Sequence, residues 1–399
     1  MNLAFTKAKP VLEEIERHGY EAYFVGGSVR DFLMNQPIND VDIATSATPF
    51  EIKTIFEKTI DVGIEHGTVV VLYNEEAYEI TTFRSEAEYE DFRRPSKVDF
   101  IRSLEEDLKR RDFTMNAIAM DARGTIIDPF NGQQSIQEKV IMTVGKAEER
   151  FREDALRMMR AVRFVSKLSF ELDEQTYLSL REFGYLLEHI AVERKLVEFE
   201  KLLMGTNHSR ALHLLIDTGL YLYLPGLDGY KISLYQLIDY EIDLLTLEER
   251  WALLLATIQI PESEMEPFLR EWKLPVKRLR EIQRMVKWLS YRQQQEWTSY
   301  TIYQAGVEHT VSVEKLYNCL KKQPLLNEVN ELAAKHEQLA IRSFKELKVT
   351  GNDLMEWLNR KGGPWIKDAL AEIEEMIVNQ ELLNEPNQIR EWVMSCKQM

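Results

Sequence analysis

Two aspartates one residue apart, Asp40 and Asp42, follow a glycine-led stretch, Gly26-Gly27-Ser28-Val29-Arg30-Asp31. In an extended strand, positions i and i+2 project from the same face, so these carboxylates are expected side by side. Like charges that close repel unless a cation lies between them, and hard oxygen ligands with open positions suit Mg2+ shared with substrate phosphates. A glycine pair after a strand lets the backbone turn sharply and approach a ligand, and a helix opening there offers free N–H groups to phosphate. Ser28 would add a hydroxyl donor, and Arg30 a planar cation for triphosphate oxygens. The set points to a metal-assisted phosphate site with Asp40 and Asp42 as the metal ligands.

A third acid from a neighbouring strand is needed if two metals are to be held. Glu79, in Tyr78-Glu79-Ile80-Thr81-Thr82-Phe83-Arg84, alternates suitably, and Asp112 is its rival. Asp112 lies in Arg110-Arg111-Asp112-Phe113-Thr114-Met115-Asn116-Ala117, where adjacent arginines at an element boundary can clamp a triphosphate. Further on, Glu153-Asp154-Ala155-Leu156-Arg157-Met158-Met159-Arg160-Ala161-Val162-Arg163-Phe164 reads as one helix. In it Asp154 and Arg157 are i, i+3 neighbours, and Arg157, Arg160 and Arg163 continue a slanting row.

The elements that must position these groups change character near residue 145. Before it, Tyr23-Phe24-Val25 and Val41-Asp42-Ile43-Ala44 read as strands. Thr68-Val69-Val70-Val71-Leu72-Tyr73 and the Tyr78 run flank Asn74-Glu75-Glu76 as a hairpin. A second hairpin is expected from Ile118-Ala119-Met120 and Thr125-Ile126-Ile127 around Arg123-Gly124. After residue 145, apolar residues recur at three- and four-residue spacing, as in Leu196, Phe199, Leu202 and Leu203, with breaks at glycines and prolines. The expectation is an α+β protein: a head with a mainly antiparallel sheet, then an all-helical remainder without a fixed-period repeat.

Composition narrows the class. The 399 residues carry 50 Lys+Arg against 66 Asp+Glu, a net charge of −16, which argues against a histone-like binder or a polybasic membrane anchor. It leaves nucleic acid open, because the local field at a groove decides phosphate binding. Two cysteines, Cys319 and Cys396, exclude a disulfide scaffold and a cysteine zinc site. The acidic amphipathic N-terminus is unlike a targeting peptide, and the most apolar later run, residues 251–260, is too short for a membrane span. A soluble, cytoplasmic protein is expected.

In this order, the four motifs resemble those of bacterial class II tRNA nucleotidyltransferases, the CCA-adding enzymes of the polymerase-β-like superfamily. They span residues 26–164, and a weaker match through Glu193-Arg194-Lys195-Leu196-Val197-Glu198-Phe199 and Ala211-Leu212-His213-Leu214-Leu215 extends it to about residue 226. The resemblance implies a nucleotidyltransferase head over 1–145, a nucleotide-selecting neck over 146–205, a body over 206–275 and a tRNA-binding tail over 276–399. It implies that Gly27, Arg30 and Arg111 meet nucleotide phosphates, that Asp40 and Asp42 hold Mg2+, and that Asp154, Arg157, Arg160 and Arg163 bind the nucleotide. tRNA, CTP and ATP are the implied partners, with a homodimer through the helical region.

An Asp–Arg pair makes chemical sense of two accepted bases. Cytosine and adenine each present an amine beside a ring-nitrogen acceptor, whereas uracil and guanine offer a carbonyl beside an N–H. For the tRNA body, Lys273, Lys277, Arg278, Arg280, Arg284, Lys287 and Arg292 form a basic stretch interrupted only by Glu281. In the family a flexible loop after the Arg84 motif is tied to the final adenylate step, and residues 85–99, with Glu88, Asp91, Arg93 and Arg94, are long enough to supply it. Partial CC- or A-adding relatives, poly(A) polymerase and a non-catalytic RNA-binding relative are the alternatives. No histidine is followed directly by aspartate, so no phosphohydrolase module is expected.

Overall fold

The structure, a computed structural model, describes residues 2–86, 89–90, 94–95 and 98–395. Glu88, Asp91 and Arg93 of the expected loop, and Cys396, lie outside the described residues. The chain packs as two compact units, one of residues 1–238 with 271–273, the other of residues 239–270 with 274–399.

The first unit opens on α1 (Leu3–Arg17), capped by the Asn2 side chain, which accepts from the Ala4 amide. A seven-stranded sheet follows, built from β1 (Ala22–Val25), β2 (Asp42–Thr45), β3 (Thr59–Gly63), β4 (Thr68–Tyr73), β5 (Glu76–Thr82), β6 (Ala119–Met120) and β7 (Ile126–Ile127). The strands run in the order β7-β6-β1-β2-β5-β4-β3. Every pair is antiparallel except β2–β5, which is parallel and sets Asp42 opposite Glu79. Asn74 (φ 49°) and Glu75 (φ 65°) close the β4–β5 hairpin as two left-handed residues, a backbone twist that suits neighbouring antiparallel strands. One sheet face packs Phe24, Ile43, Val69, Val71 and Ile80 against Phe5, Leu12 and Ile15 of α1. Val25, Ala44 and Ala119 face the other way, into a smaller cluster with Phe83, Leu108 and Val144.

Helices then take over, as the spacing predicts, with one exception. β8 (Val140–Ile141) pairs in parallel with β9 (Glu171–Leu172), so a two-residue strand interrupts the region expected to be helical throughout. The compositional change near residue 145 is a change of secondary structure, and close packing runs on to Ile238. The reason is side-chain traffic across that point: Arg160 grips Asp112, and Arg157 donates to the Arg110 carbonyl. No helix among the described residues is long and apolar enough to cross a membrane.

Candidate active site

The strand–turn–helix at Gly26 is where the site begins. α2 (Gly26–Leu33) starts directly after β1, and Gly26 has φ +66°. A Cβ there would lie 3.0 Å from Arg111 Nη1 and 3.6 Å from Asp42 Oδ2. Only glycine meets both demands, and the acid and the guanidinium therefore share one wall of the site. The first-turn amides of α2, beyond the reach of intrahelical carbonyls, open at Gly27. Ser28 corrects the sequence reading. Its hydroxyl is buried and donates to the Val25 carbonyl at 2.8 Å, so that proton is not offered to a ligand.

Asp42 opens β2, and Asp40 precedes the strand, exposed in the connecting segment. Their side-by-side arrangement is thus not that of two in-strand residues. The neighbour that the sheet provides for Asp42 is Glu79, across the parallel β2–β5 pair. Asp42 is exposed to solvent, but the protein around it partly desolvates its carboxyl, which with Glu79 and then Asp40 nearby holds it above the usual range against the pull of Arg111 and Arg30. Uncompensated carboxylates of this kind fit a divalent cation. Among the described residues no three acid, histidine or cysteine side chains converge into an all-protein cage. Mg2+ held jointly with phosphates needs none, since one or two carboxylates suffice.

Asp112, the rival third acid, is engaged elsewhere. Arg160 binds it through Nε at 2.8 Å and Nη2 at 2.6 Å, and the Asn116 amide donates at 2.9 Å. Burial alone would raise its pKa, but Arg160, Asn116 and the Phe113 N–H bring it down to about 2.

Arg30 is buried and donates to the Asn116 side-chain oxygen at 2.6 Å and to Asp31 at 2.8 Å. Asp107, in α3 (Leu104–Lys109), orients the tandem arginines: Arg110 at 2.9 and 2.7 Å, Arg111 at 3.1 Å. The buried Nε of Arg111 makes no hydrogen bond among the described residues. Arg30, Arg110, Arg111, Asp42, Asp112 and Asn116 are among the residues lining a cleft of about 710 Å³, with nine cationic side chains against three carboxylates, and Asp40 and Glu79 lie outside that lining. Burial and the Arg30 charge lower the pKa of Lys167 within it, the mark of a site crowded with cations. Phe164 lies among them, with the Arg163, Arg30 and Arg160 guanidiniums 4.2, 5.3 and 5.7 Å from its ring centroid.

The expected recognition helix is broken. α4 (Ala147–Glu153) ends at an extended Asp154 (φ −138°, ψ 102°), and α5 (Leu156–Leu168) starts afresh. The Asp154 carboxylate accepts from the Leu156 amide at 3.1 Å and binds Arg194 at 2.7 and 3.3 Å. Arg157 bonds Glu153 at 2.6 Å and the carbonyls of Arg150 and Arg110 at 3.2 and 3.0 Å. The i, i+3 pairing of Asp154 with Arg157 is absent because an aspartate that captures a backbone amide ends a helix instead of continuing it. Both residues still line the cleft, as do Arg160 and Arg163, the latter 2.7 Å from Glu198. Sequence reasoning missed Arg194, Asp107, His66 and Lys167. A usable signal existed for α6 (Val192–Leu203): Lys195 and Glu198 occupy buried positions of the stripe that holds Phe199 and Leu202. Charges at such positions mark a polar network.

The basic stretch lies largely on one helix of the second unit, α7 (Val276–Arg292), whereas Lys273 precedes the helix and packs with the first unit. Arg292 does not belong to the outward face: it is buried on Glu314 at 2.8 Å. Arg278 is half-buried and bonds Glu248 at 2.8 Å. Lys277, Arg280, Arg284 and Lys287 are exposed and fall on one side of the helix.

An acid pair beside a guanidinium-lined, glycine-walled cleft on a small mixed sheet defines a nucleotidyl-transferring head. Comparisons with known proteins agree. The family models for the poly A polymerase head domain, the RNA- and SrmB-binding site of polymerase A, and tRNA nucleotidyltransferase domain 2 match residues 22–142, 169–231 and 243–393. The CCA-adding enzymes of Bacillus cytotoxicus and of Geobacillus sp. strain WCH70 are each 47% identical, over 98% and 99% of this chain and 98% of each relative. The solved Bacillus stearothermophilus CCA-adding enzyme in complex with CTP superposes with a TM-score of 0.93 at 48% identity, covering 99% of this chain and 98% of that one. The chain belongs to the family of CCA-adding enzymes and is a tRNA nucleotidyltransferase.

Proposed function

We propose that the chain builds and repairs the 3′-terminal CCA of tRNA from CTP and ATP without a nucleic-acid template, through the residues of this cleft. The observation that carries the reading is the shared wall at Gly26, which sets Asp42 against Arg111. The triphosphate would lie against Gly27, Arg30 and Arg111, its charge met by guanidiniums that Asn116 and Asp107 hold in place. Asp42, with Asp40 and Glu79 beside it, would hold Mg2+, which lowers the pKa of the attacking hydroxyl and steadies the triphosphate. The tRNA 3′-oxygen forms a bond to the α-phosphorus as the bond to pyrophosphate breaks.

Selection of the base falls to the wall formed by Asp154 and Arg157. An ionised carboxylate accepts about four hydrogen bonds, so Asp154 can keep Arg194 and still receive the amine of cytosine or adenine. Arg157 supplies the donor for the ring nitrogen. Arg160 and Arg163 complete the pocket around Phe164.

In this reading the head, neck, body and tail keep the divisions at residues 145, 205 and 275, and Lys277, Arg280, Arg284 and Lys287 track the tRNA backbone. The work is cytoplasmic, where uncharged tRNA is processed, and a homodimer is testable by sedimentation. The decisive assay offers tRNA lacking its CCA end each labelled nucleotide singly and in combination. Asp42→Asn should abolish incorporation while tRNA affinity persists, and Asp154→Ala should admit UTP and GTP. Turnover by Asp42→Asn, or unchanged selectivity in Asp154→Ala, would overturn the assignment.

A further inference from the structure

The sheet face that carries the acids continues away from the cleft. Asp42 lies opposite Glu79, Glu79 opposite Val70, and Val70 opposite Ile60, across β2, β5, β4 and β3. Directly opposite residues share a face, so these four side chains form one row. Strand spacing places Val70 roughly 10 Å and Ile60 roughly 14 Å from Asp42. Leu72, two residues beyond Val70, belongs to the same face. Ile60 is 49% and Leu72 41% exposed, and Val70 is half-buried. The reverse face of these strands is closed, with Val69, Val71 and Ile80 in the core. Thr68 and Thr81 stand on the open face with their hydroxyls 3.1 Å apart.

The direction of the row decides what it can carry. Gly26, Gly27 and Arg30 follow β1 on one flank of β2, and Glu79, Val70 and Ile60 extend from the other. In nucleotidyl transfer the attacking oxygen and the leaving pyrophosphate lie on opposite sides of the phosphorus. A triphosphate seated on the β1 flank therefore receives its attack from the β5 flank. We propose that Val70, Leu72 and Ile60 form the floor on which the 3′-terminal nucleotides of the acceptor RNA strand lie, delivering the terminal hydroxyl to Asp42. The apolar side chains pack against sugar and base faces, and the Thr68 and Thr81 hydroxyls are available to ribose oxygens. This inference rests on Asp42 marking the reacting centre.

The test uses charge of either sign at an exposed strand position. In the full-length enzyme, Leu72→Glu and Leu72→Lys are compared with the neutral strand-former Leu72→Thr, and KM is measured for tRNA lacking CCA and, separately, for CTP. A phosphodiester strand passing over Leu72 makes Leu72→Glu raise the tRNA KM about fivefold, while Leu72→Lys holds or lowers it. KM for CTP stays constant in all three. Equal effects from both signs, no effect on tRNA, or a change in sedimentation without a sign-dependent tRNA KM (a face that joins copies of the chain) would overturn the proposal. Asp42→Asn run alongside keeps the failures apart. Turnover there sinks the site assignment, whereas its loss combined with sign-blind Leu72 variants sinks the floor alone.

Discussion

A single buried carboxylate, Asp107, keeps two arginines of the cleft in register. It receives both Arg110 and Arg111, and one of its oxygens also accepts the Arg84 backbone amide at 3.3 Å. Burial would raise its pKa, but the two guanidiniums hold it below the usual carboxylate range, so it stays ionised. Asp107→Asn removes the charge and preserves the shape. It should raise the Kd for CTP about tenfold while the Kd for CMP changes little, because in the proposed site the loosened arginines would meet the triphosphate. Calorimetric titration of both ligands checks this. Asp112 belongs to the same scale. Its folded pKa of about 2 lies below the unfolded value, so its contribution to stability is complete above about pH 4 and is lost as pH falls towards 2. That contribution is roughly 2 kcal/mol. Unfolding measured between pH 2 and 5 should show a shallower acid limb in Asp112→Asn than in the parent.

At the scale of elements, α7 separates what the sequence merged. Burial of Leu279, Ile282, Met285, Val286 and Leu289 fixes its inner side and leaves Lys277, Arg280, Arg284 and Lys287 outward. Arg284 also donates to the Gln304 and Ala305 carbonyls at 3.1 Å, tying the stripe to the end of a neighbouring helix. Replacing Lys277, Arg280 and Lys287 with glutamine should lower the slope of log affinity for tRNA against log salt by about two to three, with nucleotide affinity unchanged. Filter binding at several salt concentrations reads that slope. Six of the seven strands of the head sheet and both hairpins were legible because alternation and turn residues are local signals, whereas β3 (Thr59–Gly63) was not read. The break at Asp154 was not: the run from Glu153 to Phe164 has a good helical pattern, and only the backbone shows the carboxylate capturing Leu156.

For the whole molecule, a net charge of −16 coexists with a cleft that is strongly cationic. Concentrating positive charge in one concave site draws phosphate there in spite of the acidic whole. Every residue lining the cleft belongs to the first compact unit. Scanning calorimetry should therefore resolve more than one transition, and CTP at a hundred times its Kd should raise the first unit's transition by about 5 °C and leave the other in place. A uniform shift of the whole endotherm would contradict that division.

The sequence alone determined the order of the motifs, the mixed head followed by helices, and which residue types gather for phosphate chemistry. These follow from spacing within a few residues, where strand alternation and tight turns leave few geometries open. Tertiary structure decided the partners. Glu79 rather than Asp112 neighbours Asp42 because strand order pairs β2 with β5. Asp154 meets Arg194, forty residues on, because the packing of α5 against α6 brings them together. Which charges face a ligand and which are consumed inside depends on contacts between distant segments, and those are fixed only when the sheet and helices close on one another.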